Sequence, residues 1–300
     1  MIKYYFIIGL IIGSLSELLA QGCSDAGICY ITPNIKEDRE QLKNSIGFGY
    51  IFGKGLEDVT YNNGFISYTR AFSGNLNLSS RITYNQASGD FGTLGHLGDL
   101  FLIANYSNMQ TKNSLPSLSF GIKVPFNTGN LKINNVSLPM DYQTSLGTFD
   151  ALLGIEYKIK KWNFDAAFQL PVLQTNRNSY FDDFSASDDF PTTNLFRRKP
   201  DLLVRSAFVH NTTDKRWIFR PELMAIFHLG NDSYEDMFGM RQTIDNSAGL
   251  TINASMNVGY GFNSKSGLLF NIASPLVVRE IRPDGLTRSI VASLTYHFQF

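Results

Sequence analysis

The sequence predicts an all-β fold: a transmembrane, antiparallel, up-and-down β-barrel of about twelve strands behind a short N-terminal periplasmic segment. Three observations carry that prediction. The stretch from Thr287 to Phe300 alternates, with Ile290, Ala292, Leu294, Tyr296, Phe298 and Phe300 on one face and mostly polar residues on the other. Other segments of about ten to fourteen residues repeat this period, long enough to cross ~25 Å of hydrocarbon at a tilt. The connections between them alternate between short and mostly longer ones, which gathers the long loops at one end. A terminal strand of a soluble sandwich would share the first feature and would not need the last.

Taken in order, residues 1–20 read as an export signal, with Lys3 at a charged start, an apolar run from Tyr4 to Leu15, and Ala20 before the cleavage point. That run is too short to span a bilayer, and no other stretch approaches the ~18 apolar residues of a membrane helix. Residues 21–44 carry both cysteines of the chain, Cys23 and Cys29. In an oxidising compartment such a close pair most simply forms one small disulfide loop. Lipidation of Cys23 is the competing reading.

Residues 45–300 form the barrel. Its predicted strands start with Ile46, Phe48, Tyr50 and Phe52 on one face, then Tyr61 to Phe72, then a row of Leu76, Leu78, Ile82 and Tyr84. Asp99 to Tyr106 and Ser117 to Phe126 follow. The rows Phe149 to Ile159 and Trp162 to Leu170 are joined by a Lys160-Lys161 turn. Asp201 to His210, Trp217 to Leu229, Leu250 to Tyr260, Gly267 to Val277 and the C-terminal stretch complete twelve.

Parity sorts the charges. Arg81, Asp99, Lys123, Asp150, Glu156, Lys158, Asp165, Asp201, Arg205, Arg220, Glu222, His228 and His297 fall on the lumen side, where both signs mix. They line a candidate ligand path, or they form a salt-bridged filling of a narrow barrel. An arginine or lysine facing lipid at mid-depth costs ~2–4 kcal/mol, so their side of the wall is forced. Pro125, Pro171 and Pro275 share the lumen parity near the outer ends of ascending strands. Proline has no N–H for the ladder, so each either ends its strand or kinks the wall to admit or release a ligand. With 26 basic and 26 acidic residues, the chain gives no sign of a nucleic-acid partner. No cofactor and no metal site are predicted.

The stretches GDLFLIANY (Gly98 to Tyr106), GTFDALLGIEY (Gly147 to Tyr157) with FQLPV, and NIASPLVVREIRPDGL with SLTYHFQF resemble the outer-membrane transporter family named after meta-pathway phenol degradation. That family is similar to FadL-type channels. The resemblance implies passive uptake of a small hydrophobic solute, contact with outer-membrane lipid, and folding by the barrel-assembly machinery. It also implies an N-terminal plug, for which Cys23 to Leu42 is a short candidate. Two other classes stay open: a non-transporting surface barrel that binds through the loop from Leu173 to Pro200, and an outer-membrane hydrolase. The hydrolase would need a serine and a histidine on the outer wall, and His228 and His297 fall on the inner parity.

If the terminal aromatic row guides membrane assembly, deleting residues 298–300 depletes heat-modifiable barrel from the outer membrane. Immunoblots of unheated and heated envelope fractions check this; wild-type levels would contradict it.

Overall fold

A computed structural model describes residues 43–55, 57–73, 75–107, 116–185, 189–285 and 288–300. The export signal, the Cys23–Cys29 pair and the candidate plug lie outside the described residues. Twelve strands form one closed antiparallel wall: β1 (Asn44–Gly55), β2 (Thr60–Ala71), β3 (Leu76–Gly89), β4 (Gly92–Tyr106), β5 (Ser117–Pro125), β6 (Thr148–Ile159), β7 (Trp162–Gln174), β8 (Asp201–Phe208), β9 (Trp217–His228), β10 (Gly249–Gly261), β11 (Ser266–Val277) and β12 (Arg288–Gln299). A short pairing at His210–Asn211 continues β8 past Val209. Each strand pairs with its sequence neighbours, and β12 closes on β1 through Ser45↔Gln299 to Gly55↔Arg288. Closure leaves no free sheet edge, which a bilayer requires because it offers no water to unpaired backbone groups.

The alternation sorts side chains as the sequence predicts. Phe48, Tyr50, Ile66, Phe120, Leu153, Phe164, Phe270, Leu294 and Phe298 point outward and are exposed on the outer face. Their inward neighbours, such as Ser45, Leu152, Asp165 and Asn257, are buried. The outward face is the lipid-facing band of an outer-membrane barrel.

One element departs from the sequence reading. The third and fourth strands run on into a long hairpin closed at Gly89↔Gly92, where a longer loop is expected from the sequence. A register shift between Ile82 and Tyr84 breaks the alternation there, and glycines at 92, 95 and 98 hide it further. The connection after β1 is likewise short, so the long loops at that end are those after β5, β7 and β9, with the shorter 278–287 after β11.

Those loops fold inward. Loop 126–147 contains a small hairpin, Lys132–Ile133 against Val136–Ser137, whose two-residue turn places Asn134 and Asn135 at positive φ. Met140 and Leu146 from that loop, Phe196 from loop 175–200 and Ile244 from loop 229–248 pack against inward-facing Phe101, Leu152, Ala167, Leu203, Met224 and Ile226. This apolar cluster fills the interior on the loop side. A second cluster, Val59, Tyr61, Leu138, Tyr142, Tyr180 and Phe190, with Phe91 edge-on to three of the rings, caps the long hairpin.

Leu153→Arg, which puts a cation on the outward face midway along β6, is expected to cost ~2–4 kcal/mol of barrel stability, whereas Tyr157→Arg near the strand end costs ~0–1 kcal/mol. Denaturant unfolding in lipid vesicles measures both, and equal costs at the two positions would contradict the lipid-facing assignment.

Candidate functional site

The interior divides along the barrel axis, and the residues singled out by parity fall into three separate groups. At the loop side, Lys123 on β5 reaches Asp150 on β6 at 2.9 Å and Thr148 at 2.9 Å, with Asp99 at 3.9 Å. Gln169 donates to the same Asp150 carboxylate. His228 ends β9 with both ring nitrogens on carboxylates, Nδ1 at 2.7 Å from Asp201 and Nε2 at 2.8 Å from Asp232. An imidazole can donate from both nitrogens only when protonated, so the geometry is that of an imidazolium. It has no nitrogen left to act as base toward a serine.

Loop residues complete this outer cluster. Arg198 joins Asp201 at 2.5 Å and Asp284 at 3.3 Å. Arg279 joins Asp284 at 2.5 Å, lies 3.8 Å from Asp232 and donates to the Ser247 carbonyl. All of these side chains are buried, so their charges have to be matched within the cluster. Burial alone would push the Asp284 carboxyl up, but Arg279 and Arg198 beside it outweigh that and hold it well below the usual carboxylate range. Burial likewise opposes the Arg198 charge, and Asp201 and Asp284 more than restore it. The cluster ties strands β8 and β9 to loops 175–200, 229–248 and 278–287.

A fourth loop, 126–147, joins at Gly285. It adopts φ +64°, and a Cβ there would lie 2.6 Å from the Asp141 Cα, so only glycine lets the two loops touch. Asp141 is buried in this contact. Burial first, and then the nearby Asp284, push its carboxyl up to about 7, against the pull of Arg282.

The second group is a belt lower in the lumen on β6 to β9. Arg205 donates to Asp165 at 2.9 Å, Arg220 lies 3.6 Å from Glu222, and Glu156 takes Asn163 at 3.4 Å and Lys158 at 3.8 Å. Two of these pairs, Arg205–Asp165 and Asn163–Glu156, run across the ladder between neighbouring strands, and the other two link residues two apart on one strand. The belt is therefore the salt-bridged filling that the mixed signs allow.

Arg81 and His297 stand apart from both groups. They line a cavity of about 130 Å³ near the end of the wall where β1 begins and β12 finishes. Its wall comes from β1, β2, β3, β9, β10, β11 and β12, and includes Phe65, Ile218, Leu268 and Leu269 beside Ser67, Thr69, Thr295 and Gln299. The Arg81 guanidinium lies 4.1 Å from the centre of the Phe65 ring. Gly49 makes room for that ring, because a Cβ at 49 would sit 2.1 Å from it. Above the cavity, Ile51, Phe65 and Val291 pack together with Ala273.

The three prolines share one position relative to the ladder. Each lies two residues beyond the last pairing to the next strand: Pro125 after Lys123↔Asp150, Pro171 after Gln169↔Asp201, Pro275 after Ala273↔Val291. Each still pairs with the preceding strand, at Asp99, Asp150 and Asn253 respectively. Phe126 N donates to the Gly98 carbonyl on the β4 side, so the Pro125 nitrogen faces β6, where the ladder stops. Pro125 ends its strand. Pro171 and Pro275 do not: β7 runs on to Gln174 and β11 to Val277, each past a register shift. Leu276, Val277 and Ile290 are exposed on the outside of the last of these breaks.

The outer cluster contains residues that parity could not find. Arg198, Asp232 and Asp141 lie in loops with no period to sort them. Arg279, Arg282, Asp284 and Gly285 stand in REIRPDG, inside the stretch that carries the family resemblance, and that was their one signal.

Because the folded-state Asp141 carboxyl titrates at about 7, above its unfolded value of 3.8, it adds stability below pH ~4 that is lost as pH rises through 7. Loop 126–147 is expected to exchange amide hydrogens faster at pH 8 than at pH 5, corrected for intrinsic rates. Asp141→Asn should remove that difference; an unchanged pH dependence in the variant would contradict the assignment.

No protein-family model matches the chain, and no curated protein matches it. Solved structures do. The chain is similar to an outer membrane channel from Pseudomonas putida F1, at 16% identity and a TM-score of 0.59, over 90% of this chain and 100% of that one. It is also similar to the translocator domain of the autotransporter NalP from Neisseria meningitidis, at 8% identity and a TM-score of 0.50, over 88% of this chain and 90% of that one. A Pseudomonas aeruginosa FadL homologue aligns at 11% identity and a TM-score of 0.43, over 86% of this chain and 76% of that one, too distant to bear on function. At these identities the likeness shows the fold, an outer-membrane β-barrel.

Proposed function

We propose that the protein is an outer-membrane channel for passive uptake of small, mostly hydrophobic compounds. In this reading the long loops face the cell surface, and both ends of the barrel domain face the periplasm. The observation that carries it is the succession of apolar surfaces from the wall to the cavity. The ladder break beside Pro275 lies directly above the Ala273, Val291, Ile51 and Phe65 cluster, and Phe65 is itself a wall of the cavity. A solute leaving the lipid side would meet Leu276 and Ile290 outside, cross beside Pro275, and reach the cavity along apolar side chains. The axial route from the loop side meets the buried ion cluster and the apolar filling instead. The resemblance of GDLFLIANY, FQLPV and NIASPL to the meta-pathway phenol degradation type supports the same solute class.

A non-transporting surface barrel is the second reading. Phe184, Phe238, Met237 and Met240 are strongly exposed at the loop tips, as a binding surface would need. The two readings differ in what the wall does.

Pro275→Val supplies the missing N–H and a residue that favours a regular strand. It is expected to slow uptake of toluene by cells that depend on this protein, while heat-modifiable barrel stays at wild-type levels. Pro125→Val, at a strand end, should have the smaller effect. Uptake indifferent to the presence of the protein would favour the surface-barrel reading, and protein-dependent uptake left unchanged by Pro275→Val would sink the lateral path.

A further inference from the structure

We propose that segment 278–285, between the two strands that border the Pro275 wall break, is a pH-sensitive latch. It holds the strand ends together while Asp141 is neutral and lets them part when Asp141 takes a charge, so entry through the wall increases as pH rises. This rests on the uptake reading above and adds its regulation.

The place of the segment in the wall comes first. The ladder between β11 and β12 stops at Ala273↔Val291. On their other sides β11 stays paired to β10 as far as Val277, and β12 to β1 as far as Arg288. Across the break the Ser274 hydroxyl reaches the Ser289 carbonyl only at 3.5 Å. The segment above is thus placed to set how far apart the two ends stand. It turns inward, with Arg279, Arg282, Asp284 and Gly285 buried. Ile281 N–H donates to the Asn246 carbonyl at 3.2 Å and Arg279 to the Ser247 carbonyl at 2.7 Å, while Arg198 holds Asp284 at 3.3 Å. These anchors join it to loops 229–248 and 175–200.

The anchor nearest β12 is different in kind. Gly285 rests backbone against backbone on loop 126–147, where a Cβ would lie 2.6 Å from both the Asp141 Cα and the Met140 carbonyl oxygen. The Asp141 side chain is buried beside this contact, and among the described residues no hydrogen bond reaches its Oδ1. A charge there would be buried without a bonded partner, which weakens the contact that buries it. The described charged and titratable groups facing Asp141 are Asp284 and Arg282 on the segment, Glu57 between β1 and β2, Tyr61 on β2 and Tyr142 beside it. Burial and then Asp284 favour the neutral carboxyl over the pull of Arg282, and bring its titration to about 7. The contact is therefore firm below that pH and loosened above it.

The test places nitroxide spin labels at positions 276 and 290, both exposed on the outer face beside the break. The full chain is held in lipid nanodiscs, and dipolar broadening is followed by electron paramagnetic resonance from pH 5 to pH 9. Broadening is expected at pH 5 and is lost with a midpoint near 7. Asp141→Asn should keep the broadening at every pH. Arg282→Gln removes the one cation named above as favouring the charged carboxyl, so it should move the midpoint to higher pH. It serves as the independent arm if Asp141→Asn fails to give heat-modifiable barrel. Broadening that ignores pH, a pH change that survives Asp141→Asn, or a midpoint that Arg282→Gln leaves in place or lowers would overturn the latch. Toluene uptake at pH 5 and pH 8 separates the two readings. Protein-dependent uptake with broadening that ignores pH defeats the latch alone. A pH-dependent break with uptake indifferent to the protein defeats the channel reading instead.

Discussion

A strand in hydrocarbon has nowhere to put an unpaired N–H or C=O group except on a neighbouring strand, and that constraint shapes the rest of this molecule. It forces the wall to close at β1 and β12. Closure in turn splits each strand into an outward and an inward face, and lipid then dictates which residues take each. The outward band of aromatic and aliphatic side chains and the inward set of charges follow from one rule applied twelve times. Proline matters here for the same reason. A residue without an N–H costs least where the ladder has already stopped, and all three inward prolines stand at that place, two residues past a last pairing.

Burying so many charges in a narrow lumen raises the opposite problem. Each needs a partner, because an isolated buried charge costs several kcal/mol. The belt on β6 to β9 solves it within the wall. The outer cluster solves it by drawing in loops, so that Arg198, Asp232, Arg279 and Asp284 complete what His228 and Asp201 begin on the strands. Folding the loops inward also brings Met140, Phe196 and Ile244 onto the apolar inner face. The loop side is thereby filled, while the terminus side keeps a cavity. Filling at one end and space at the other is what turns attention from the axis of the barrel to its wall.

The strands were legible because a period of two is hard to disguise over ten residues. All twelve were found from alternation alone, and parity correctly placed Lys123, Asp150, Asp165, Arg205 and His228 inside. The β3–β4 hairpin was missed beyond Tyr84, since a register shift and three glycines interrupt the pattern where the strands continue. The site was less legible than the wall. Parity says that a side chain points inward and says nothing of its height along the axis, so it could not tell the level of Arg81 and His297 from that of the β6 to β9 belt. The loop halves of the outer cluster have no period at all; only the REIRPDG stretch hinted at them.

In the proposed uptake route the axis of the barrel is closed at the loop side and solute crosses the wall to reach the cavity. Planar-bilayer recording of the full-length protein tests it most directly, compared with a variant in which the outer cluster is dissolved by Arg198→Ala and Arg279→Ala. The wild type is expected to show no steady ohmic conductance, and the variant to show one as its loops come free. A steady, water-filled conductance in the wild type, unaltered in the variant, would contradict the account.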